Sequence, residues 1–299
     1  MKPSIVLIGP GRVGAAVAKQ LYGAGYPIEA VISRDRLRAE EATRFIGCDP
    51  KASTNDLGRA RTGEIILLSI ADDQIDSMAK HLQKTIGLAE RATLVHFSGL
   101  KPAASMFLQG YETGLISIHP LLSFADRDMA TARLTDCPCA IEGDVHLLPL
   151  AEELVIAMGG SPFPLQSEAK ALYHAAACIT SNYLVTLTAS ARDLLMHCGF
   201  DKHHAMDLLR PLHRATCANL EQFPPEKALT GPIVRGDTGT VTKHLSAMIS
   251  SAPEVLDLYC CMGEHTIGLA AKSGRLDKEQ ALNLQQLFSQ YSENSQTDR

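Results

Sequence analysis

The sequence predicts an α/β fold in which a mostly parallel, doubly wound sheet is followed by an all-helical domain. Three observations support this. Short apolar runs alternate with helical patterns in the first half, a glycine-rich turn follows the first run, and the second half contains no convincing strand. Because strand–helix alternation implies parallel βαβ units with right-handed crossovers, we place the sheet in residues 1–166 and the helical domain in residues 167–299.

Near-continuous apolar runs, rich in Val and Ile, predict strands that are buried on both faces. These runs are residues 4–8, 28–33, 65–70, 93–97, 115–118 and 139–142, with a last extended piece at 161–165. Helical patterns lie between them, at residues 13–24, 36–45, 73–83, 101–108 and 147–158. In the second half, glycine and proline breakers separate helical stretches at 168–198, 203–220, 238–251, 253–271 and near 278–292.

The composition is that of an ordinary soluble globular protein. Of the 299 residues, 45% are hydrophobic and 20% are charged, which excludes the disordered and fibrous classes. There are 28 Lys and Arg residues against 33 Asp and Glu residues, so the net charge is −5. A mildly acidic chain without long basic runs argues against a general binder of nucleic acid or of an anionic membrane.

The cysteines and the first residues favour a cytoplasmic protein. Eight cysteines are scattered along the chain, and the first apolar run is too short for a secretory signal, so we expect reduced, mostly buried thiols. Residues 171–191 carry no formal charge and are long enough to span a bilayer, but they include His174, Asn182 and several hydroxyl groups. Because such groups are costly to place in lipid, we expect a helix buried inside a soluble protein.

The glycine-rich turn predicts a nucleotide site. It reads Gly9-Pro10-Gly11-Arg12-Val13-Gly14, follows the first strand and opens the first helix, as the dinucleotide-binding pattern of Rossmann folds requires. We expect Gly9 to allow the tight turn, Gly11 to let the backbone approach a pyrophosphate, and Gly14 to permit close helix–strand packing. The amino end of the helix would then offer N–H groups and partial positive charge to the phosphates. The alternative is a glycine turn without a ligand.

The end of the second strand indicates which cofactor binds. An NAD site needs Asp or Glu there, to hold the ribose 2′-hydroxyl. This strand ends in Ser33 and Arg34, whose hydroxyl and guanidinium suit a 2′-phosphate, and we expect Asp35 to point away. We therefore predict NADP in preference to NAD. The alternative is that Arg34 is a solvated surface charge and that either cofactor binds.

The loop after the third clear strand supplies further candidates. Ligands of such folds lie beyond the carboxyl ends of the strands, so we expect Ile70, Ala71 and Asp72 to pass over a ribose of the cofactor. Asp73 follows in the same loop, and its alternative role is to cap the amino end of the next helix.

The glycine turn and Ser33-Arg34 occur together with several other motifs that are typical of one protein family. These motifs are His96-Phe97-Ser98-Gly99, His119-Pro120-Leu121, Lys170-Ala171-Leu172-Tyr173-His174-Ala175-Ala176, Ser181-Asn182-Tyr183-Leu184 and Leu229-Thr230-Gly231-Pro232-Ile233-Val234-Arg235-Gly236-Asp237. Together they resemble a domain-of-unknown-function family, number 2520. That family is similar in plan to the 6-phosphogluconate-dehydrogenase-like superfamily, alongside pyrroline-5-carboxylate reductase, ketopantoate reductase and β-hydroxyacid dehydrogenases. The resemblance implies an NADP-binding domain followed by an all-helical domain, often in a dimer.

The start of the uncharged segment carries the catalytic candidates. Lys170 and His174 are i, i+4 neighbours on a helix, whereas Asn182 lies about 80° around the axis from His174. The related β-hydroxyacid dehydrogenases carry Lys-x-x-x-Asn on the corresponding helix, and their lysine handles the proton of the substrate hydroxyl. The resemblance therefore implies that Lys170 is the proton donor or an electrostatic anchor, while His174 and Asn182 orient the substrate. The alternative is a salt-bridged lysine and a packed core histidine.

Three more side chains are candidates for substrate binding. Ser98 and His119 lie at the carboxyl ends of neighbouring predicted strands, as His96 does, and we expect them to border the nicotinamide. The hydroxyl of Ser98 could bond the carboxamide or the substrate, while a structural role is the alternative for both histidines. Arg235 could clamp a substrate carboxylate or phosphate, or it could pair with Asp237 instead.

The combined prediction is a cytoplasmic NADPH-dependent reductase or dehydrogenase. Its substrate would be a small polar carbonyl, imine or hydroxy acid that binds between the domains. No metal is predicted, because the paired Cys and His residues lack zinc-site spacing. The first alternative is a non-catalytic NADP(H)-binding sensor or scaffold, in which packing seals Lys170 and His174. The second is a reductase with a deazaflavin partner. The uncharged helix also predicts a homodimer through the helical domain.

Overall fold

The computed structural model describes residues 1–297, with side chains as far as Tyr291. Backbone contacts divide it into two compact units, Met1–Asn182 and the residues from Tyr183 onward. The first unit thus includes the start of the uncharged segment. The division of the chain at residue 166 stays a prediction.

The first unit contains an eight-stranded sheet in the order β3-β2-β1-β4-β5-β6-β7-β8. Every neighbouring pair is parallel except β6 and β7, so the predicted mostly parallel sheet is confirmed. The two-residue strand β3 was too short to predict. The strands are β1 Ile5–Ile8, β2 Ile28–Ile32, β3 Ser53–Thr54, β4 Ile65–Leu68, β5 Thr93–His96, β6 Gly114–Pro120, β7 Pro138–Gly143 and β8 Ser161–Pro164.

Strand β1 shows why the apolar runs are continuous. Successive side chains of a strand point to opposite faces, and here both faces are covered. Ile5 and Leu7 belong to the core on one side of the sheet, whereas Val6 and Ile8 belong to the core on the other. All four are buried, as expected for a central parallel strand.

Helices cover both faces of this sheet. They are α1 Arg12–Gly23, α2 Arg36–Ile46, α4 Arg127–Arg133 and α5 Leu148–Ala157 on one face, and α3 Asp72–His81 on the other. The unit also contains α6 Lys170–Cys178, which contributes no residue to either core. The sequence analysis missed α4. It was also wrong about a helix at residues 101–108, where the structure has only a 3-10 turn, Ala103–Met106. Pro102 is the N-cap residue of this turn, and no side chain caps it.

The second unit is helical throughout its described part. Its helices are α7 Leu184–His197, α8 Lys202–Gln222, α9 Pro225–Ala228, α10 Thr238–Ser251, α11 Pro253–Lys272 and α12 Lys278–Thr297. Its core forms between α10, α11 and α12. A Cβ atom on Gly263 of α11 would lie 2.3 Å from the ring of Phe288, so this glycine lets two helices pack closely.

The uncharged segment differs from its prediction in two ways. A π turn, Ile179–Tyr183, separates α6 from α7, so residues 168–198 are not one regular helix. The segment is also not buried, because Leu172 is 81% exposed and Val185 69% exposed. In the described part of the chain, no helix combines the length and apolarity that crossing a membrane requires.

No disulfide joins the cysteines, all of which lie in the described part of the chain, and only half of them are buried. The buried ones are Cys48, Cys137, Cys139 and Cys260, whereas Cys198, Cys217 and Cys261 are exposed. The expectation of mostly buried thiols was therefore too strong.

Candidate functional site

The glycine turn packs directly against the end of β4. Gly9 has a φ of +80°, and a Cβ atom there would lie 2.5 Å from the carbonyl oxygen of Ser69. A Cβ atom on Gly14 would lie 2.6 Å from the side chain of Ser69. Neither position accepts a side chain without displacing this loop. Gly11 faces open space, so its backbone is accessible to a ligand.

The amino end of α1 carries partial positive charge that no side chain neutralises. Gly11 is the N-cap residue, no side chain caps the helix, and its first turn has no acidic residue. Free N–H groups and the helix dipole make such an end suited to an anion. Beside it, Arg12 is exposed and donates a 3.1 Å hydrogen bond to the carbonyl oxygen of Phe124.

A groove of about 780 Å³, which we call the arginine groove, opens beyond β1, β2 and β4. Its volume is in the range of known ligand pockets. Arg34 and Arg38 are among its lining residues, and both are exposed. The groove is lined by Ile8, Gly9, Pro10, Gly11, Ile32, Ser33, Arg34, Asp35, Arg38, Asn55, Leu57, Ser69, Ile70, Ala71, Gln74, Ser77 and Met78.

Asp35 is among the residues that line the arginine groove. Its carboxylate is engaged in another way. One oxygen accepts a 3.0 Å hydrogen bond from the N–H of Leu37 and caps α2, and the other lies 3.8 Å from Arg38. A capping carboxylate beside two arginines is a poor match to the acidic residue that holds a ribose hydroxyl in NAD sites.

A second groove of about 380 Å³, the middle groove, adjoins the first. The two share Gly11, Ser69 and Ile70. The remaining lining residues are Arg12, Val13, Leu68, Asp72, Phe97, Ser98 and Phe124.

Ser98 and Asp72 form the polar wall of the middle groove. The hydroxyl of Ser98 donates a 2.6 Å hydrogen bond to Asp72, and it accepts hydrogen bonds from the N–H groups of Leu100 and Lys101. Ser98 is therefore held in one orientation. Helix α3 starts at Asp72 with Ala71 as its N-cap residue, so Asp73 is not the cap.

A third groove of about 440 Å³, the histidine groove, shares Phe124 with the middle groove. Two imidazoles face it, His119 at the end of β6 and His174 on α6, with ring centroids 5.8 Å apart. Gly99 makes room for both. A Cβ atom there would lie 2.5 Å from Nδ1 of His174 and 2.8 Å from Nε2 of His119.

The two histidines differ in their hydrogen bonds. Nδ1 of His119 lies 2.8 Å from the hydroxyl of Tyr173, and burial is the main cause that lowers the pKa of His119 to about 4. Nδ1 of His174 is shielded from solvent and has no hydrogen-bond partner in the part of the chain that the structure describes. Its Nε2 lies 3.7 Å from the thiol of Cys178. A shielded nitrogen without a partner is uncommon and calls for a functional explanation.

The π turn places Asn182 in the histidine groove. A regular α-helix would turn Asn182 about 80° away from His174. Residues 179–183 form i→i+5 bonds instead, which widen the turn and delay the rotation of the following residues. His174 and Asn182 therefore line the same groove.

Lys170 is buried behind these grooves and lines none of the three. Its ammonium donates hydrogen bonds to the hydroxyl of Ser117 at 2.7 Å and to the carbonyl oxygen of Ser98 at 3.2 Å. The carboxylate of Glu142 lies 3.7 Å away and is also buried. Burial lowers the pKa of Lys170, against the opposing effect of Glu142.

His96 is also buried. Its Nδ1 accepts a 3.1 Å hydrogen bond from the N–H of Ser98, so the neutral ring carries its proton on Nε2. Burial, and next the charge of Lys170, lower its pKa to about 4. His96 thus supports the loop that holds Ser98, and it does not line the grooves described above.

Arg235 belongs to the second unit, where it is exposed at the end of the 3-10 turn Ile233–Arg235. Asp237 accepts a 2.9 Å hydrogen bond from the N–H of Thr240 and caps α10, and the structure shows no ion pair between Asp237 and Arg235. Its predicted contact with a substrate stays untested.

The sequence analysis missed three residues of this region. Arg38 has the same charge as Arg34 and comes one helical turn after it, which was a usable signal. Tyr173 lies beside His174 inside a motif that had been singled out, but its bond to His119 needed the fold. The ion pair of Glu142 with Lys170 could not be predicted from the sequence, because it depends on the antiparallel pairing of β7 with β6.

Two family models match separate parts of the chain. Residues 4–95 match the model described as NADP oxidoreductase, coenzyme F420-dependent, and residues 137–266 match the model of a domain of unknown function, number 2520. The second match confirms the resemblance that the motifs of the second half indicated. A search of curated proteins found no match to this sequence.

Solved structures share the fold over most of the chain. A protein from Thermotoga maritima is 25% identical with a TM-score of 0.73, covering 89% of this chain and 99% of that chain. A candidate NADP oxidoreductase from Bacteroides fragilis is 24% identical with a TM-score of 0.71, covering 88% and 97%. A pyrroline-5-carboxylate reductase from Coxiella burnetii is 14% identical with a TM-score of 0.54, covering 95% and 99%. The chain therefore has the fold of NADP oxidoreductase-like dehydrogenases.

Proposed function

We propose that this protein is an NADP(H)-dependent oxidoreductase that transfers hydride between nicotinamide and a small carbonyl, imine or hydroxy-acid substrate. One observation carries the proposal. Three adjoining grooves lead from two exposed arginines, past the uncapped amino end of α1, to a pair of imidazoles. An extended dinucleotide fits this order, with its 2′-phosphate at the arginines, its pyrophosphate at the amino end of α1 and its nicotinamide ring towards the imidazoles.

The residues around the first two grooves fit the cofactor. Gly9, Pro10, Gly11, Val13 and Gly14, with the amino end of α1, would hold the pyrophosphate. Ser33 and Arg34 would recognise the 2′-phosphate, with Arg38 as a second cation. Ile70, Ala71 and Asp72 would border a ribose, and Arg12 would stand beside the phosphates. When bound, the nicotinamide ring supplies or accepts the hydride.

The histidine groove would hold the substrate. His174 is the proposed proton donor or orienting group, because it lines the groove and neither of its ring nitrogens is held by a strong hydrogen bond. Asn182 and His119 would orient the substrate, and Ser98 would bond either the substrate or the carboxamide of the cofactor.

Of the two roles considered for Lys170, we propose the electrostatic anchor. Its ammonium is engaged by Ser117, Ser98 and Glu142 and lies outside the grooves. It would fix the loop that presents Ser98 to the middle groove, and its positive charge would act on the site from behind. Arg235, in the second unit, would clamp an anionic group if the substrate carried one.

The alternative function is that of a protein that binds NADP(H) without catalysing a reaction, and the experiment must distinguish it from an enzyme. The sealed position of Lys170 agrees with that alternative, whereas the open groove beside His174 supports an enzyme. The match to a model of F420-dependent oxidoreductases covers the nucleotide-binding residues alone, so a deazaflavin partner is tested in the same way. We further propose a cytoplasmic homodimer, in which a second copy covers the exposed apolar face of the uncharged segment.

The deciding experiment is a metabolite screen that follows the absorbance of NADPH, run also with a reduced deazaflavin. Turnover by the wild type, with a loss of at least about tenfold in His174→Ala and unchanged NADPH affinity, is the expected result. Tight NADPH binding without turnover of any compound in the screen would favour the non-catalytic alternative. An exposed histidine gives the control, since His146→Ala leaves both properties unchanged.

A further inference from the structure

The histidine groove is uncharged for its whole described extent. Thirteen residues line it, and none is Asp, Glu, Lys or Arg. Its polar groups are hydroxyls, an amide, a thiol and two imidazoles, and its remaining walls are apolar or aromatic. A groove of this kind can donate hydrogen bonds to a neutral oxygen atom, but it holds no fixed cation for an anionic group.

The nearest buried cation is not available to a ligand. The ammonium of Lys170 is occupied by Ser117, by the carbonyl oxygen of Ser98 and by the carboxylate of Glu142. The side chain is about 2% exposed. A substrate carboxylate could reach it only by breaking a buried ion pair, which would leave Glu142 without its cation.

The imidazole of His119 does not replace that cation. Burial lowers its pKa to about 4, so the ring is neutral at physiological pH. Its Nδ1 atom is already paired with the hydroxyl of Tyr173. A carboxylate placed between the rings would lose its hydration and gain no permanent ion pair, because the only charge facing it would be that of His174 while this ring carries the proton that it delivers.

The apolar walls of the groove indicate what kind of group the substrate carries beside its reactive carbonyl. Leu121, Leu122 and Phe124 follow β6 on one side of the groove, and Ala176 and Ala177 of α6 belong to the other. Small side chains on the helix leave width for a flat or branched group, which the leucines and the phenyl ring would cover. With about 440 Å³ the groove is large enough for a monocyclic compound.

We infer that the substrate is a ketone or aldehyde with an apolar or aromatic body and without a carboxylate or phosphate group. This inference rests on the proposed function, and it removes the hydroxy acids from the candidate substrates. In the reduction, the carbonyl carbon gains a hydride as NADPH is oxidised to NADP⁺. The carbonyl oxygen gains a proton, which His174 is placed to deliver, and the product is the neutral alcohol.

A matched pair of compounds tests the inference. Methyl benzoylformate and benzoylformate share one ketone and one phenyl ring, and they differ only in that the second carries a free carboxylate. Binding to the NADPH-free protein is measured by ligand-observed nuclear magnetic resonance, and turnover by NADPH oxidation. The ester is expected to bind at least about tenfold more tightly than the acid, because the groove offers the carboxylate no cation.

Two substitutions that add a positive charge test whether the compounds bind in the histidine groove. Leu121→Arg and Ser123→Arg each place a guanidinium at an exposed position of the groove wall, and each should raise the affinity for benzoylformate at least about tenfold. Val145→Arg adds the same charge at a position that is 82% exposed and outside the groove, and it should change neither affinity.

The outcomes separate this inference from the proposed function. An ester that binds preferentially but is not reduced supports the inference about the groove and contradicts the oxidoreductase. Equal or tighter binding of the acid, or binding of neither compound, overturns the inference while leaving NADPH binding intact. If the acid is preferred and Arg235→Ala abolishes the preference, Arg235 is the cation that the inference denied.

Discussion

The ammonium of Lys170 donates a 2.7 Å hydrogen bond to the hydroxyl of Ser117 in the interior of the first unit. A charge in such a place is stable only if its lost hydration is replaced, and Glu142 and the carbonyl oxygen of Ser98 supply the rest. Ser98 in turn holds Asp72 at the wall of the middle groove. A buried ion pair thus fixes the loop that the proposed cofactor and substrate would both touch.

Breaking this ion pair should destabilise the protein strongly. Lys170→Met leaves the Glu142 carboxylate buried without its cation, so the free energy of unfolding should fall by about 3–5 kcal/mol. Denaturation in urea measures it. The control is Lys101→Met, which removes the partly exposed pair of Lys101 with Asp76 and should cost at most about 1 kcal/mol. A cost for Lys170→Met as small as that of the control would contradict this account of the ion pair.

Acid should destabilise the protein through two histidines. The pKa values of His96 and His119 are lowered from 6.5 to about 4, so below pH 6.5 the unfolded chain binds protons that the folded chain does not. The stabilisation is complete above pH 6.5, and it is lost as the pH falls towards 4, on the order of 2–3 kcal/mol for each imidazole.

Denaturation at a series of pH values tests this dependence. His96→Gln should flatten the curve between pH 6.5 and 4, whereas the exposed His146→Gln should leave its slope unchanged. A slope that survives in His96→Gln and His119→Gln together would show that these two rings are not responsible.

Substitutions at two glycines of the turn should affect different properties, the stability of the protein in one case and its affinity for NADPH in the other. Gly9→Ala combines a φ of +80° with a contact to Ser69, and it should cost at least about 2 kcal/mol of stability. Gly11→Ala meets open space and should cost about 1 kcal/mol or less, yet weaken NADPH binding about tenfold or more.

Thermal denaturation and calorimetric titration measure the two effects. Gly23→Ala, near the other end of α1 and also in open space, should alter neither. Unchanged NADPH affinity in Gly11→Ala would refute the placement of the pyrophosphate against this backbone.

The exposed apolar positions of α7 and α8 should mediate self-association. Val185 is 69% exposed and Leu212 is 65% exposed, and burying them in a second copy would release their apolar surface from water. Light scattering at micromolar concentration should give twice the monomer mass of 32.2 kDa, and Val185→Glu with Leu212→Glu should give the monomer. Leu282→Glu, at a 56% exposed position of α12, is the control. A wild-type monomer under these conditions would rule out the proposed homodimer.

The regular parts of this fold could be predicted because they depend on local patterns. The four buried positions of β1 and the turn that follows at Gly9 are recognisable from adjacent residues alone. Helix α10 was predicted at its observed bounds, since Asp237 caps its start and Pro253 follows its end. Strand β3 could not be predicted, because two residues are too few to form a recognisable apolar pattern.

The site could be predicted only in part, because its remaining contacts join distant segments. Lys170 and Glu142 are 28 positions apart, and neither residue type indicates burial by itself. The period of a regular helix predicted that Asn182 would point away from His174. The π turn changes this rotation, so both residues line the histidine groove. The burial of the uncharged helix was predicted from its composition, which cannot show whether the cover comes from the same chain or from another.

The most direct test of the account is a calorimetric titration of the wild-type protein with NADPH and with NADH. NADPH should bind at least about tenfold more tightly, and Arg34→Ala should remove the difference, whereas Arg44→Ala, on an exposed turn of α2 outside the groove, should retain it. Equal affinities for the two dinucleotides, or no binding of either, would contradict the account.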